Sequence, residues 1–277
     1  MATHSLGIDI GGTFTDIVLY DHTSGRHFSR KVLTTHSNPA QAVIDGTQEI
    51  LREHRIEATS IDRVVHATTL FTNAMIERKG AVTGLITTEG FRDTLEIGRE
   101  RKYELYDLQT DNPPPLVPRD LRTEVKERVK ASGDVMVPLD YASVANGVQA
   151  LISKGVESLA IVFLHSYVNP SHEIAVAKFI SRKFPKLFVT TSHEVVREIR
   201  EFERASTTVA NAYVKPLAHR YLDEMRVKLE TQGTSAALLL MLSSGGLTHV
   251  EEAKKNPVQM LESGPAAGAL AAAYFGK

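Results

Sequence analysis

The stretch from Leu6 to Tyr20 limits the possible folds of this chain more than any other. It reads Leu6-Gly7-Ile8-Asp9-Ile10-Gly11-Gly12-Thr13-Phe14-Thr15-Asp16-Ile17-Val18-Leu19-Tyr20. Two apolar, β-favouring runs flank Gly11-Gly12-Thr13, which predicts a strand, a tight turn and a returning strand. Glycine tolerates positive φ and carries no Cβ, so backbone N–H groups at such a turn can close on an anion. Asp9 ends the first strand, where a carboxylate can hold a hydrated divalent cation. Thr13 and Thr15 add hydroxyls, and Asp16 adds a second carboxylate. An ordinary hairpin turn is the plain alternative for Gly-Gly, and pairing with a Lys or Arg is the plain alternative for Asp16. A Walker loop is excluded because no Gly-Lys-Ser/Thr follows. The dinucleotide fingerprint is excluded because Gly-x-Gly-x-x-Gly is absent and a strand comes next.

The 277 residues suffice for one large core or two smaller ones. A formal net charge of -1 argues against a broad nucleic-acid or membrane surface. There is no cysteine, hence no disulfide or thiolate chemistry. The first residues lack the basic-then-apolar pattern of a signal peptide, and Ala236–Leu242 is too short to span a bilayer. A cytoplasmic protein without nucleic-acid or membrane partners is expected.

Downstream, His27–Leu33 reads as a third strand, and Asn38-Pro39 starts a helix that runs to His54. Ile61–Ala67 reads as a strand leading into a helix at Leu70. A β-α-β-α-β succession from Ala81 to Thr191 predicts a mostly parallel sheet flanked by helices. Within it, Thr123–Val129 and Asp134–Val137 read as an antiparallel pair around Ser132-Gly133, and Ser171 as the cap of a helix to Phe184. From Gly98 to Pro118, a run with Arg99, Glu100, Arg101, Lys102 and Tyr103 ahead of Pro113-Pro114-Pro115 reads as a long loop. The charge-dense Arg197–Arg204 reads as a solvated face. A long helix over Thr207–Gln232 should be kinked or restarted by Pro216. Ala236–Leu242 is a strand ending in Ser243-Ser244-Gly245-Gly246. No short-spaced cluster of His and carboxylates and no Gly-x-Ser-x-Gly elbow occurs.

Asp-x-Gly-Gly-Thr between two strands resembles the first phosphate motif of the actin, sugar-kinase and heat-shock ATPase superfamily. That resemblance implies an α/β fold with a ribonuclease-H-like, actin-type first lobe, a mixed sheet and the start of a second lobe. It also implies ATP held by Gly11, Gly12, Thr13 and Thr15, with Asp9 reaching Mg²⁺ or another divalent cation through water.

Further segments resemble the hydantoinase A and oxoprolinase family, which includes subunits of acetone-type carboxylases. They are His66-Ala67-Thr68-Thr69 with Thr72-Asn73-Ala74, Gly84 to Asp93, and Leu105-Tyr106-Asp107-Leu108. Others are Arg204 with Thr207-Thr208, Asn211 to Val214 with Pro216, Ser244-Gly245-Gly246, and Ser263-Gly264-Pro265-Ala266-Ala267-Gly268. The resemblance implies ATP-dependent activation of a lactam or ketone carbonyl. A resonance-stabilised amide is a poor electrophile, and O-phosphorylation removes that resonance. Asp9, Asp16 and His66 are the catalytic candidates. Thr68, Thr69, Asn73, Arg92, Ser244, Gly245 and Gly246 are substrate candidates, several of them at a strand end where ligands gather in open α/β sheets. A backbone-bonded core histidine, an Arg92-Asp93 ion pair and a structural Gly turn are the corresponding plain alternatives.

Family members are longer. Residues 1–195 are expected to form the N-terminal lobe, and 196–277 an incomplete start of the core domain. The expected partners are a hydantoinase-B-type large subunit and the C-terminal part that carries the facing phosphate motif. Isolated, such a chain is expected to have little ATPase activity and an exposed apolar final helix. The rival readings are a carboxylase subunit fragment, a non-catalytic remnant and a sugar-kinase-type enzyme.

Overall fold

The computed structural model describes residues 3–35, 38–99, 104, 106–107, 109 and 113–276. Glu100–Tyr103, Leu105 and Leu108, named above, lie outside them. The chain opens with β1 (His4–Ile10), β2 (Phe14–Asp21), β3 (His27–Leu33), α1 (Pro39–His54), β4 (Ile61–Thr68) and α2 (Leu70–Ile76). There follow β5 (Thr83–Thr88), α3 (Thr94–Ile97), β6 (Arg122–Val125), β7 (Arg128–Val129), β8 (Val135–Val137), α4 (Tyr141–Ser153) and β9 (Ser158–Val162). Next come α5 (Ser171–Lys183), β10 (Phe188–Thr191), α6 (Ser192–Val195) and α7 (Glu201–Thr231). The last elements are β11 (Ala237–Met241), β12 (Leu247–His249), α8 (Val250–Lys255) and α9 (Ser263–Phe275). Two compact units result: residues 1–79 with 217–277, and residues 80–216. The expected lobe boundary at 195 lies inside the second of these.

The first unit holds a six-stranded mixed sheet ordered β12-β11-β4-β1-β2-β3. β1, β2 and β3 form an antiparallel meander, while β4 and β11 run parallel to β1 and β4 respectively. Alternation decides which face is buried: Leu6, Ile8 and Ile10 of β1 and Thr15, Ile17 and Leu19 of β2 point inward. α1 starts as the sequence predicts. Asn38 caps it by accepting from the Gln41 N–H at 3.2 Å, and Pro39 occupies the first turn, where its missing N–H costs nothing. The apolar stripe of α1 (Val43, Ile50, Leu51) is buried. Gly46 lets the helix come close to β2, because a Cβ there would stand 2.4 Å from Ile17 Cδ1.

The second unit holds the predicted parallel sheet, ordered β10-β9-β5-β6. It is covered on both faces, so β5 and β9 are buried at every residue. Ile86, Leu159 and Ile161 face α4 and α5 with Val148, Leu151, Val176 and Ile180. Leu85, Ala160 and Val162 face α7 with Ala205, Val209 and Ala212. Each such large aliphatic side chain contributes about 1.5–3 kcal/mol when fully buried.

The structure corrects three local readings. β6 does not pair with β8; it joins the parallel sheet beside β5, and only the two-residue β7 pairs with β8. Ser171 lies inside α5, and Asn169 Oδ1 caps the turn by accepting from the Ser171 N–H at 3.1 Å. α7 begins at Glu201 and passes unbroken through Pro216, which costs it one backbone donor.

Candidate functional site

The β1–β2 turn is where the sequence reading placed a phosphate site. Its geometry rests on glycine, though not on positive φ, which neither Gly11 nor Gly12 adopts. Gly11 closes the turn by donating its N–H to Phe14 O at 2.9 Å, and a Cβ on Gly11 would stand 3.1 Å from that carbonyl oxygen. Gly11 N–H is therefore used internally. Among the described residues, the N–H groups of Gly12 and Thr13 make no backbone hydrogen bond. A cavity of about 260 Å³ opens beside them, lined by Gly11, Gly12, Thr34, Thr69, Asn73, Glu77 and Lys79 among others. Asn73 Nδ2 faces Gly12, 3.5 Å from where a Cβ would sit.

Thr34 is a contributor that motif reading missed. Its hydroxyl donates to Gly11 O at 2.9 Å and meets Thr15 Oγ1 at 3.0 Å, while its N–H donates to Thr13 O at 2.9 Å. No motif marks it. Only the β2–β3 register, which sets Phe14 opposite Leu33, brings the residue after β3 to the turn.

The predicted residues divide accordingly. Gly11, Gly12, Thr69 and Asn73 line the cavity. Asp9 lies beside it, with its Oδ1 3.7 Å from where a Cβ on Gly264 would sit, and Thr69 Cγ2 3.3 Å from the same point. Burial holds the Asp9 carboxyl above the usual carboxylate range; Asp16 adds to the rise and Lys31 opposes it. Thr15 is fully buried and turned to Thr34. Asp16 is paired with Lys31 at 2.8 Å. Thr68 is buried; its Oγ1 accepts from the Leu70 N–H at 3.0 Å, and its backbone exchanges hydrogen bonds with Ser263 Oγ.

His66 does not line the cavity. It is a core residue, 1% exposed, with Nε2 accepting from Tyr221 OH at 2.6 Å and Nδ1 directed at Ile8 O at 3.4 Å. Burial pulls its pKa down to about 4, so the ring is neutral near pH 7. The same burial pushes the Tyr221 phenol up. Ser244, Gly245 and Gly246 form the β11–β12 turn, with Gly245 at φ 84°. Arg92 belongs to the second unit, where it donates to Arg119 O at 3.3 Å, while Asp93 pairs with Arg119 and not with Arg92.

This arrangement fits an anion held by backbone N–H groups and an amide side chain, with one carboxylate near enough to hold a hydrated cation. Mg²⁺ asks for little more, since it keeps most of its waters and takes one or two carboxylates alongside phosphate oxygens. Among the described residues no group of three or more His, Asp or Glu could enclose a metal by itself.

Residues 5–184 match the model of the hydantoinase/oxoprolinase N-terminal region, and residues 204–277 match that of the hydantoinase/oxoprolinase domain. The chain belongs to the hydantoinase/oxoprolinase family. It is 41% identical over 277 residues to an uncharacterized protein of Methanocaldococcus jannaschii, covering 99% of this chain and 40% of that one. It is 34% identical over 283 residues to the caprolactamase subunit alpha of Pseudomonas jessenii, again covering 99% and 40%. The crystal structure of that ATP-dependent caprolactamase superposes with a TM-score of 0.88 over 98% of this chain and 41% of the other. The nucleotide-free acetone carboxylase structure, 28% identical, superposes at 0.87 over all of this chain and 41% of the other. The chain thus spans about two fifths of these relatives. The fold is mixed α/β, as these members of the hydantoinase/oxoprolinase family are over the same span. Among the described residues no helix is long and apolar enough to cross a membrane.

Proposed function

We propose that this chain carries the first phosphate-binding half of an ATP-dependent cyclic-amide hydrolase of the hydantoinase/oxoprolinase type. The observation that carries the reading is the Gly11-Gly12-Thr13 turn, whose free N–H groups open beside Asn73 and Thr69 with Asp9 adjacent. The order β3-β2-β1-β4-β11, antiparallel in its first three strands and parallel thereafter, supports a ribonuclease-H-like lobe. Residues 1–195 are the N-terminal family region, and 196–277 the opening of the core domain. The identity to a caprolactamase subunit favours a lactam over a ketone substrate. A cytoplasmic hydantoinase-B-type subunit and a facing second phosphate motif complete the enzyme.

In this reading Gly12 and Thr13 hold phosphate oxygens through their N–H groups. Asn73 donates from the far wall, and Asp9 orients a hydrated divalent cation. Bound there, ATP supplies a phosphoryl group that turns an amide oxygen into part of a leaving group. Asp16, His66, Thr15 and Thr68 act through structure: the first holds Lys31 at the hairpin, and the others fix the strands behind the turn. The positions of Thr69 and Asn73 favour a phosphate role for them, and Ser244–Gly246 stays the substrate candidate of this unit.

The test is titration of the chain with a fluorescent, non-hydrolysable ATP analogue and Mg²⁺. Binding that is lost in Gly12→Val supports the reading. A Cβ at Gly12 meets only an ordinary contact, so this variant folds and fills the cavity. Absence of saturable binding, or wild-type affinity in Gly12→Val, removes the turn from nucleotide recognition.

A further inference from the structure

The second unit contains a place for a ligand that the phosphate site does not explain. In a parallel α/β sheet, ligands sit beyond the carboxyl ends of the strands, where the strand order reverses. Here the chain leaves β5 for β6 on one side and leaves β9 for β10 on the other, although β5 and β9 are neighbours. The loops after β5 and β9 therefore diverge and leave a crevice.

A small closed cavity occupies that crevice. Its wall comes from the end of β5 and the following loop (Thr87, Thr88, Phe91, Thr94), the end of β9 (Val162, Phe163, Leu164), and Arg204 and Glu201 of α7. Its volume, about 10 Å³, matches one water or one carbonyl oxygen. The wall is held rigidly. Thr88 Oγ1 accepts from the Leu164 N–H at 3.0 Å while donating to buried Glu127, which also receives His172 Nδ1 at 2.7 Å. Arg204, fully buried, donates to Phe163 O at 2.7 Å, Ser192 Oγ at 3.2 Å and Glu198 O at 3.1 Å. Glu173 accepts from the Phe163 N–H at 3.0 Å, Ser192 Oγ at 2.6 Å and both His193 donors.

Thr87 is the exception in this network. It lines the cavity and is 2% exposed, yet its Oγ1 has no hydrogen-bond partner. A buried hydroxyl without a partner costs about 1–3 kcal/mol, so such a group points to something that binds it. A groove of about 400 Å³ shares Phe91, Thr94 and Glu201 with the cavity and extends to Ile97, Phe202 and Arg200.

The geometry points to a small-molecule site at the β5/β9 switch point, in which a cyclic amide lies on Phe91, Ile97 and Phe202 and its carbonyl oxygen accepts from Thr87 Oγ1. The groove's aromatic and aliphatic walls suit the ring methylenes, and the water-sized end suits a single oxygen. The choice of a cyclic amide rests on the proposed function; the place of the site does not.

The probe is 2-piperidone, followed through the methyl resonances of Val162 and Leu164 in the intact chain. The expected result is saturable shifts at these methyls, an affinity at least tenfold weaker in Thr87→Val, and near-wild-type affinity in Thr87→Ser, which keeps the hydroxyl. Thr87→Val removes an unpartnered group from a buried position, so its melting temperature should equal or exceed that of the wild type. Shifts that are absent, or unchanged within twofold in Thr87→Val, would mean that Thr87 meets a buried water only and overturn the site. The ATP-analogue titration is read separately. Piperidone binding without nucleotide binding leaves this site standing and removes the proposed function, and the converse does the opposite.

Discussion

The two sheets build their sites from different materials. In the mixed sheet of the first unit, the candidate phosphate site is mostly backbone: N–H groups of Gly12 and Thr13, a carbonyl held by Thr34, and one amide side chain. In the parallel sheet of the second unit, the strand ends are tied by buried side chains, namely Arg204, Glu173, Glu127, Thr88 and Ser192. A backbone site depends on a few local residues that allow the chain to bend closely. A side-chain site depends on many distant partners, each costly to remove once desolvated. The first should therefore tolerate mutation in stability and lose binding; the second should lose stability.

Arg204→Ala is the sharpest test of that contrast. It strips Phe163 O, Ser192 Oγ and Glu198 O of a donor and leaves a void beside α7, so a loss of about 3–5 kcal/mol in urea unfolding is expected. A loss under about 1 kcal/mol would show that the buried network is not what holds the parallel sheet.

The pH dependence of the first unit comes next. His66 has a folded pKa of about 4 against an ordinary 6.5, so the unfolded chain binds the extra proton between these values. Its contribution is fully present above pH 6.5 and is lost as the pH falls towards 4. The full loss is about 3 kcal/mol. Wild type should lose more stability between pH 7 and 4.5 than His66→Asn does. Equal slopes would remove His66 as the source.

Gly12→Val should weaken ATP-analogue binding by about 100-fold, or roughly 3 kcal/mol, while shifting the unfolding midpoint little. A large drop in the midpoint would mean that the turn carries stability after all and blur the contrast. The smallest effect is expected for Asp16→Asn. The Lys31 pair is about half exposed on both sides, so its removal should cost under about 1 kcal/mol and fade in high salt. A loss of nucleotide binding in this variant would return Asp16 to the catalytic role that the sequence suggested.

The same contrast explains what sequence reading reached. The hairpin, α1 with its Asn38 cap and the β-α-β-α-β succession were all legible, because each is written in residues one to four apart or in the alternation of one strand. The Arg197–Arg204 stretch was not. Its charges read as a solvated face, and Arg204 is instead fully buried because Phe163 O and Ser192 lie beside it. β6 was taken for half of a hairpin, since four alternating residues carry no sign of whether their neighbour will be β5 or β8.

By itself the sequence determined the turn at Gly11-Gly12-Thr13, the binary pattern of both sheets and membership of the hydantoinase/oxoprolinase family. Only the tertiary structure decided which polar groups face a cavity. It turned Thr15 inward, tied His66 to Tyr221 across 155 residues of chain, brought Thr34 to Gly11 O, and left Thr87 Oγ1 without a partner. The physical reason is range. Strand, turn and cap preferences act between near neighbours, whereas the fate of a buried polar atom is set by whichever groups the completed fold places within about 3 Å of it.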